Sequence, residues 1–250
     1  MMLAFAMLLL AQETAAAATE QRYDQCVDLA MSEPARAEAD ATAWRIAGGR
    51  YFARQCLGIA YANEGRWAAA AAEFSAAAEE AEVARDARAG QYWAQAGNAW
   101  LADGQASKSR AALDAALAAG TLKGLALGEA HFDRARAFVL LGDLPRARAD
   151  LDRALALAPG DPLVWLGSAV LARRANDLPR ARGDIAEAYA RAKDDPSVML
   201  EVGNIAARSG DAAGAQAAWT EAIRLRPTGE TADQARAALR QFDPPPPKQP

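Results

Sequence analysis

A short turn motif recurs along this chain at a fixed spacing. It reads Gly-Asp-Leu-Pro-Arg-Ala at residues 142–147, Asn-Asp-Leu-Pro-Arg-Ala at 176–181 and Gly-Asp-Ala-Ala-Gly-Ala at 210–215. Its aspartates, Asp143, Asp177 and Asp211, are therefore 34 residues apart. A constant period of roughly 20–50 residues is the signature of a repeat array, in which each unit buries its apolar face against the next. The spacing predicts a stack of repeated helical units.

The composition agrees with an all-α fold. Hydrophobic residues make up 52% of the 250 residues, and most of them are alanine, the best helix former, while strand-favouring Val, Ile and Thr are scarce. The formal net charge is −4. Because nucleic-acid binding needs a positively charged surface, we predict no nucleic-acid partner.

The N-terminus resembles an export signal. A short apolar run, Leu3–Ala11, is followed by polar residues and then by the small-residue run Ala15–Ala18, which contains sites of the A-x-A type. The run is too short to cross a bilayer. Residues 1–19 are therefore predicted to be a signal peptide, with no membrane insertion after cleavage and a periplasmic location. No Lys or Arg precedes the run, so an ordinary apolar N-terminus is the alternative.

Both ends of the array carry segments that differ from the repeats. Residues 20–50 contain two helical segments, separated at Pro34 and closed by Gly48-Gly49, and are predicted to form an N-terminal capping pair. Residues 230–242 are predicted to form a polar C-terminal capping helix, which arrays need for solubility. Residues 243–250 contain four consecutive prolines and are predicted to be a disordered tail.

The repeats resemble the tetratricopeptide repeat, a helix–turn–helix unit of 34 residues. In residues 51–84 the family's positions 7, 8, 11, 15, 20, 24 and 27 are occupied by Leu57, Gly58, Tyr61, Gly65, Ala70, Phe74 and Ala77. The same register holds in residues 90–123, 128–161, 162–195 and 196–229. The resemblance implies an α-solenoid, a right-handed superhelix of five repeats with helical caps.

Local sequence signals fit this register. Small residues at positions 8, 20 and 27 allow close helix approach, and large residues at positions 4, 11 and 24 fill the space between helices. Asp143, Asp177 and Asp211 are predicted to cap the second helices of their repeats. The first two joints hold surplus residues, which we expect longer second helices to absorb, with residues 79–86 as one such extension.

No pattern in the chain predicts catalysis. The single histidine, His131, lies at repeat position 4, where a core residue belongs, and no nucleophile is placed to work with it. There is no phosphate-binding glycine loop and no metal-ligand motif. We predict no enzyme activity, no cofactor and no metal site.

The two cysteines leave a disulfide open. Cys26 and Cys56 lie in similar local sequences, and an even cysteine count in an exported chain favours a bridge. However, equivalent positions on neighbouring parallel helices point the same way, and Cα atoms more than about 7 Å apart cannot be bridged.

The resemblance implies a binding surface. In tetratricopeptide proteins the first helices line a concave groove, and positions 2, 5, 6, 9, 12 and 13 commonly face the ligand. Here those positions include Gln91, Asn98, Phe132, Asp133, Arg136, Arg173, Arg174, Glu201, Asn204 and Arg208. We therefore predict a scaffold that binds a protein or peptide in this groove. The alternative is a structural protein that self-associates through its terminal helices or convex face.

Overall fold

The computed structural model describes the backbone of residues 2–242 and the side chains of residues 17–241. These residues form α-helices joined by short turns, without a strand among them. The helices are α1 (Met2–Ser32), α2 (Pro34–Trp44), α3 (Arg50–Asn63), α4 (Trp67–Ala84), α5 (Ala89–Ala102), α6 (Ala106–Ala118), α7 (Gly124–Leu140), α8 (Leu144–Leu157), α9 (Pro162–Arg174), α10 (Leu178–Arg191), α11 (Pro196–Arg208), α12 (Ala212–Leu225) and α13 (Glu230–Leu239). The predicted all-α fold of helical repeats is confirmed. The predicted tail, 243–250, lies outside the described residues.

The chain divides into two compact units, with the boundary between Leu141 and Gly142. The first unit contains α1 to α7, and the second contains α8 to α13. The boundary falls within the predicted third repeat, 128–161, whose first helix is α7 and whose second is α8. Helix α9 begins at Pro162 and α11 at Pro196, the first residues of the predicted fourth and fifth repeats.

Aspartates start the second helices as predicted. The side chains of Asp143, Asp177 and Asp211 accept hydrogen bonds from the backbone amides of Arg146, Arg180 and Gly214. Each bond satisfies an amide that has no partner within its helix. Asp161 and Asp195 cap the first helices α9 and α11 in the same way. An Asp-Pro pair at each site is the corresponding sequence signal, because Pro is favoured at the first helical position.

The core of the first unit begins in the N-terminal cap. Trp44 of α2 and Phe52 of α3 are buried, with ring centroids 6.5 Å apart in a stacked arrangement. Between them the chain bends sharply at Arg45–Gly49, where Gly48 has a φ of 94°. Positive φ is easy for glycine, so Gly48 permits this bend between α2 and α3.

Close helix contact depends on glycine at repeat position 8. A Cβ atom at Gly97 would overlap Cγ of Leu113. A Cβ at Gly203, in the second unit, would overlap the indole of Trp219. The large residue at position 24 therefore packs directly on the backbone of the preceding helix, as the register predicted.

The two surplus joints differ from each other. At the first, α4 extends to Ala84 and is 18 residues long, as predicted. At the second, the prediction of a longer second helix is wrong. There α6 has only 13 residues, and the surplus lies in the turn at residues 119–123 and in α7, which begins at Gly124. Gly120 and Gly124 have positive φ, which ends one helix and starts the next.

Helix α1 runs through the segment predicted to be a signal peptide and continues to Ser32. Its side chains Tyr23, Cys26, Leu29 and Ala30 pack in the hydrophobic cluster formed with α2 and α3. None of the helices within the described residues is long and apolar enough to cross a membrane.

Candidate functional site

A pocket of about 540 Å³ lies between the first helices α5 and α7 of the first unit. We call it the α5–α7 pocket. Its polar lining consists of Arg88, Gln91, Gln95, Thr121, Lys123, Glu129 and Asp133. Its apolar lining consists of Ala87, Ala94, Leu122, Ala126 and Ala130. The small side chains leave backbone-sized space between the helices, and the turn before α7 forms one wall.

Four polar side chains of this pocket are free to meet a ligand. Gln91, Thr121, Lys123 and Glu129 are exposed, and none forms a side-chain hydrogen bond or ion pair with another residue that the structure describes. They supply an amide, a hydroxyl, an ammonium and a carboxylate. A peptide backbone needs both donors and acceptors from its partner, so this set suits an extended peptide.

Asp133 holds a small cluster at the pocket edge. Its Oδ2 accepts a hydrogen bond from Asn98 Nδ2 at 2.9 Å, and its Oδ1 accepts one from Arg136 Nη1 at 2.9 Å. The Arg136 guanidinium also lies 5.9 Å from the ring centroid of Phe132. The structure thus brings together four residues that the sequence predicted for the groove: Asn98, Phe132, Asp133 and Arg136. Both carboxylate oxygens of Asp133 are already engaged within the chain.

Arg88 forms a rigid part of the pocket wall. Its Nε and Nη2 donate to the two carboxylate oxygens of Asp86, each at 2.9 Å, and its Nη1 donates to Glu20 Oε1 at 2.8 Å. The guanidinium lies 4.4 Å from the ring centroid of Phe52. The bonds from Arg88 lower the pKa of Asp86 from its ordinary value to about 2. Asp86 in turn raises the pKa of Arg88.

In the second unit the predicted groove residues bind one another. Arg173 of α9 forms an ion pair with Glu201 of α11, which is only 4% exposed. Asn204 donates to Glu201 Oε2 at 3.0 Å and accepts a hydrogen bond from Trp219 Nε1 at 3.1 Å. Glu201 is therefore not the exposed ligand contact that the register predicted. The amide of Asn204 is used to join α11 to α12.

Two other arginines of this unit remain exposed. Arg208 donates to Asn176 Oδ1 at 2.9 Å, which links the ends of neighbouring hairpins. Arg174 is exposed and has no hydrogen bond or ion pair to any described residue. Both lie at repeat position 13, where the resemblance implied ligand contact.

The sequence prediction missed several pocket residues. Glu129 and Gln95 occupy positions 2 and 6, so applying the position rule to every repeat would have found them. Arg88 lies in the joint before the second repeat, where the 34-residue period carries no information, and Lys123 is the last residue of that repeat, outside the first-helix positions used for the prediction. The longer turns at the two ends of this repeat place both residues at the pocket.

The remaining predicted residues lie away from the pocket. His131 is buried in α7.

A disulfide joins Cys26 to Cys56, with the Cα atoms 6.0 Å apart. The two helices approach closely enough at this point for a bridge, which the argument from equivalent positions did not anticipate. Among the described residues, no His, Cys, Asp and Glu side chains cluster as a metal site.

Capped helical hairpins with a polar pocket between first helices define a helical-repeat protein. The family model for the tetratricopeptide repeat matches residues 94–162 and, overlapping them, residues 132–197. This match and the fold support assigning that part of the chain to the tetratricopeptide repeats.

Solved structures share the fold at low sequence identity. PilW, described as a widely conserved type IV pilus biogenesis factor, aligns with a TM-score of 0.70 and 20% identity over 88% of this chain and 99% of its own. PilF of Pseudomonas aeruginosa aligns with a TM-score of 0.68 and 15% identity over 88% of this chain and 99% of its own. YrrB, described as a tetratricopeptide protein with an unusual peptide-binding site, aligns with a TM-score of 0.57 and 17% identity, covering 80% and 96%. No curated protein matches the sequence.

Proposed function

We propose that this protein is a non-catalytic scaffold that binds a protein or peptide partner along its first helices, with the α5–α7 pocket as the main contact. The observation that carries the proposal is the set of unpaired polar groups in that pocket, namely Gln91, Thr121, Lys123 and Glu129. Elsewhere along the predicted groove, polar groups such as Glu201 and Asn204 already form ion pairs or hydrogen bonds within the chain. The pocket thus offers hydrogen-bonding capacity that folding has not used.

The class of partner follows from the pocket's shape and chemistry. A space of about 540 Å³ lined by alanines and bordered by an amide and opposite charges suits an extended backbone with short side chains. YrrB, which shares the fold, is described by its peptide-binding site. In our proposal the face that carries the pocket is the concave face of the repeat array.

We further propose that the protein acts in the periplasm after cleavage of residues 1–19. The apolar run Leu3–Ala11 and the small residues after it support export. The Cys26–Cys56 disulfide also supports it, since disulfides persist in oxidising compartments. Fractionation of the native host combined with mass spectrometry of the mature N-terminus tests this. Recovery of uncleaved protein in the cytoplasm would contradict it.

A site-specific crosslink tests the pocket. A photo-reactive phenylalanine analogue replaces Gln91, and a matched variant carries it at Glu79, an exposed α4 residue without a partner among the described residues. We expect crosslinked protein partners from the Gln91 position only. Adding Glu129→Gln and Lys123→Ala should reduce their recovery. Equal recovery from both positions, or recovery unchanged by the pocket substitutions, would rule out this site.

A second test addresses the wider groove. Partner recovery by the triple variant Asn98→Ala/Arg136→Ala/Arg208→Ala is compared with that by the wild type. If the groove extends beyond the pocket, recovery falls, because the variant removes Arg208 and two residues of the Asp133 cluster. Unchanged recovery would confine binding to the pocket itself.

Self-association is the alternative function. Met31 of α1 and Ile46, which follows α2, are 66% and 78% exposed and would be available for a contact between copies of the chain. Sedimentation velocity at high concentration tests it. A strictly monomeric profile would remove this alternative.

A further inference from the structure

A chain of side-chain hydrogen bonds crosses three helices of the first unit and ends on the wall of the α5–α7 pocket. The phenol of Tyr23, on α1, donates to Gln55 Oε1, on α3. Gln55 Nε2 then donates to Gln95 Oε1, on α5, at 3.1 Å. Gln55 is only 2% exposed, whereas Gln95 is half-buried and lines the pocket. The chain therefore runs from the N-terminal cap through the core to the candidate binding site.

In the structure the donors of this chain run in one direction, from Tyr23 to Gln95. A carboxamide has one oxygen that accepts and one NH₂ group that donates. Because Tyr23 donates to the oxygen of Gln55, the NH₂ group of Gln55 is left to face Gln95, where it occupies Oε1. Gln95 Nε2 has no hydrogen bond to any residue that the structure describes. Gln95 therefore has its Nε2 donor unused, while its Oε1 is already bonded to Gln55.

Packing holds the first members of the chain in place. The ring of Tyr23 lies 5.4 Å from that of Phe52, between centroids, and the Cys26–Cys56 disulfide follows one helical turn later. The opposite direction would need both amides to flip, with Gln95 Nε2 donating to Gln55 Oε1 and Gln55 Nε2 donating to the Tyr23 hydroxyl oxygen. The O–H group of Tyr23 would then lose Gln55 Oε1, its acceptor among the described residues, and a part-buried donor that loses its partner is costly, so the observed direction is favoured.

We propose that Gln55 is a positioning residue for the α5–α7 pocket, which fixes the Gln95 amide so that it selects a hydrogen-bond acceptor, namely a backbone carbonyl of a bound peptide. This inference rests on the proposed function and adds that Gln95 is the hydrogen-bond donor and the peptide the acceptor. Gln91 and Lys123 supply further N–H donors, while Gln91 Oε1 and the Glu129 carboxylate supply acceptors. At the Gln95 contact, a residue that offers a carbonyl and no N–H group, such as proline, therefore binds as well as any other residue.

Two short peptides test whether the pocket recognises the carbonyl groups or the N–H groups of its ligand. Acetyl-(Pro)₄-dimethylamide offers carbonyl oxygens and no N–H group, whereas acetyl-(Ala)₄-amide offers both. Dissociation constants for each are measured by NMR titration of the full chain, together with Gln55→Glu and Gln95→Glu. Gln216→Glu, an exposed α12 residue whose side chain has no partner among the described residues, is the matched control.

In the wild type and the control, we expect both peptides to bind with similar affinity. A Glu at position 55 accepts from both Tyr23 and Gln95 Nε2, which turns Gln95 Oε1 toward the pocket. The proline peptide should then lose about five- to tenfold in affinity relative to the alanine peptide, the effect of one hydrogen bond. Gln95→Glu should give a similar or larger change. A wild type that rejects the proline peptide, or a ratio unchanged in Gln55→Glu, would overturn the inference.

A milder variant, Tyr23→Phe, tests the same inference in case Gln55→Glu does not fold. Tyr23→Phe keeps the ring contact with Phe52 and removes only the hydroxyl, so Gln55 is free to turn. The affinity ratio should shift in the same direction by a smaller factor, while circular dichroism stays unchanged. If neither peptide binds the wild type, the proposed pocket fails together with this inference. If both bind and the ratio never moves, only the role of Gln55 fails.

Discussion

The guanidinium of Arg173 donates two hydrogen bonds to the carboxylate of Glu201, from Nε at 2.6 Å and from Nη2 at 3.1 Å. The pair joins α9 to α11, the first helices of two successive repeats. Asn204 and Trp219 extend it to α12 through the bonds described above. A surface that repeat register assigns to ligand contact is thus used here to hold the second unit together.

We predict that Arg173→Ala destabilises the protein by about 3 kcal/mol, because it leaves the Glu201 carboxylate buried without its charge partner. Urea unfolding followed by circular dichroism measures the change. Arg174→Ala is the matched control, since Arg174 is exposed and unpaired among the described residues, and its effect should stay within about 0.5 kcal/mol. Equal effects of the two substitutions would show that the ion pair contributes little.

The sequence predicted the fold well because each repeat signal is local and has one physical meaning. Asp143 and Asp177 mark helix starts through backbone amides only a few residues away, and Gly97 marks close packing by its fixed place in the period. These constraints recur every 34 residues, so several weak signals reinforce one another.

The site was predicted less completely because the register gives the face of a residue but not its neighbours. Position 6 of the fifth repeat, Glu201, is neutralised by Arg173 of the repeat before it. Position 6 of the second repeat, Gln95, lines the pocket and takes its orientation from Gln55. Arg88 lies in a joint that interrupts the period, and Lys123 ends the second repeat just before the other joint. Such differences depend on pairings between repeats, which a single sequence does not specify.

We predict that reduction of the Cys26–Cys56 disulfide lowers the free energy of unfolding by about 3–4 kcal/mol. The bridge spans 30 residues, and closing a loop of that length restricts the unfolded chain by roughly this amount on the chain-entropy model. Denaturation midpoints with and without reductant measure the effect. A Cys26→Ala/Cys56→Ala variant should match the reduced protein and show no response to reductant. A midpoint insensitive to reductant in the wild type would contradict the prediction.

Two glycines in helices should respond in opposite ways to alanine. We predict that Gly97→Ala destabilises by about 1–3 kcal/mol, because the new methyl group overlaps Leu113 and forces the helices apart. Gly183→Ala, in α10, should stabilise by about 0.5–1 kcal/mol, since no atom of a neighbouring residue lies within 4 Å of the place its methyl group would take and alanine is the better helix former. Thermal unfolding of both variants measures the changes. Destabilisation by Gly183→Ala would contradict the packing argument.

Acid should weaken the contact that holds Arg88 at the pocket wall. The pKa of Asp86 is lowered from 3.8 to about 2 in the folded protein, chiefly by its bonds with Arg88 and with help from the Tyr51 hydroxyl. A lowered pKa means that the folded state favours the carboxylate. The contribution of Asp86 to stability is therefore complete above the pKa of the unfolded state, and it is lost as the pH falls through the pKa of the folded state.

We accordingly predict that wild type is more stable than Asp86→Asn at neutral pH and that this difference shrinks between about pH 4 and pH 2, the window set by the two pKa values. Thermal midpoints of both proteins across that range measure the difference directly and cancel the general effect of acid. Glu79→Gln, which removes one exposed carboxylate of α4, is the control for lost charge. A stability difference that stays constant down to pH 2 would show that Asp86 is not held as a carboxylate by Arg88, and the rigid wall of the pocket would then need another explanation.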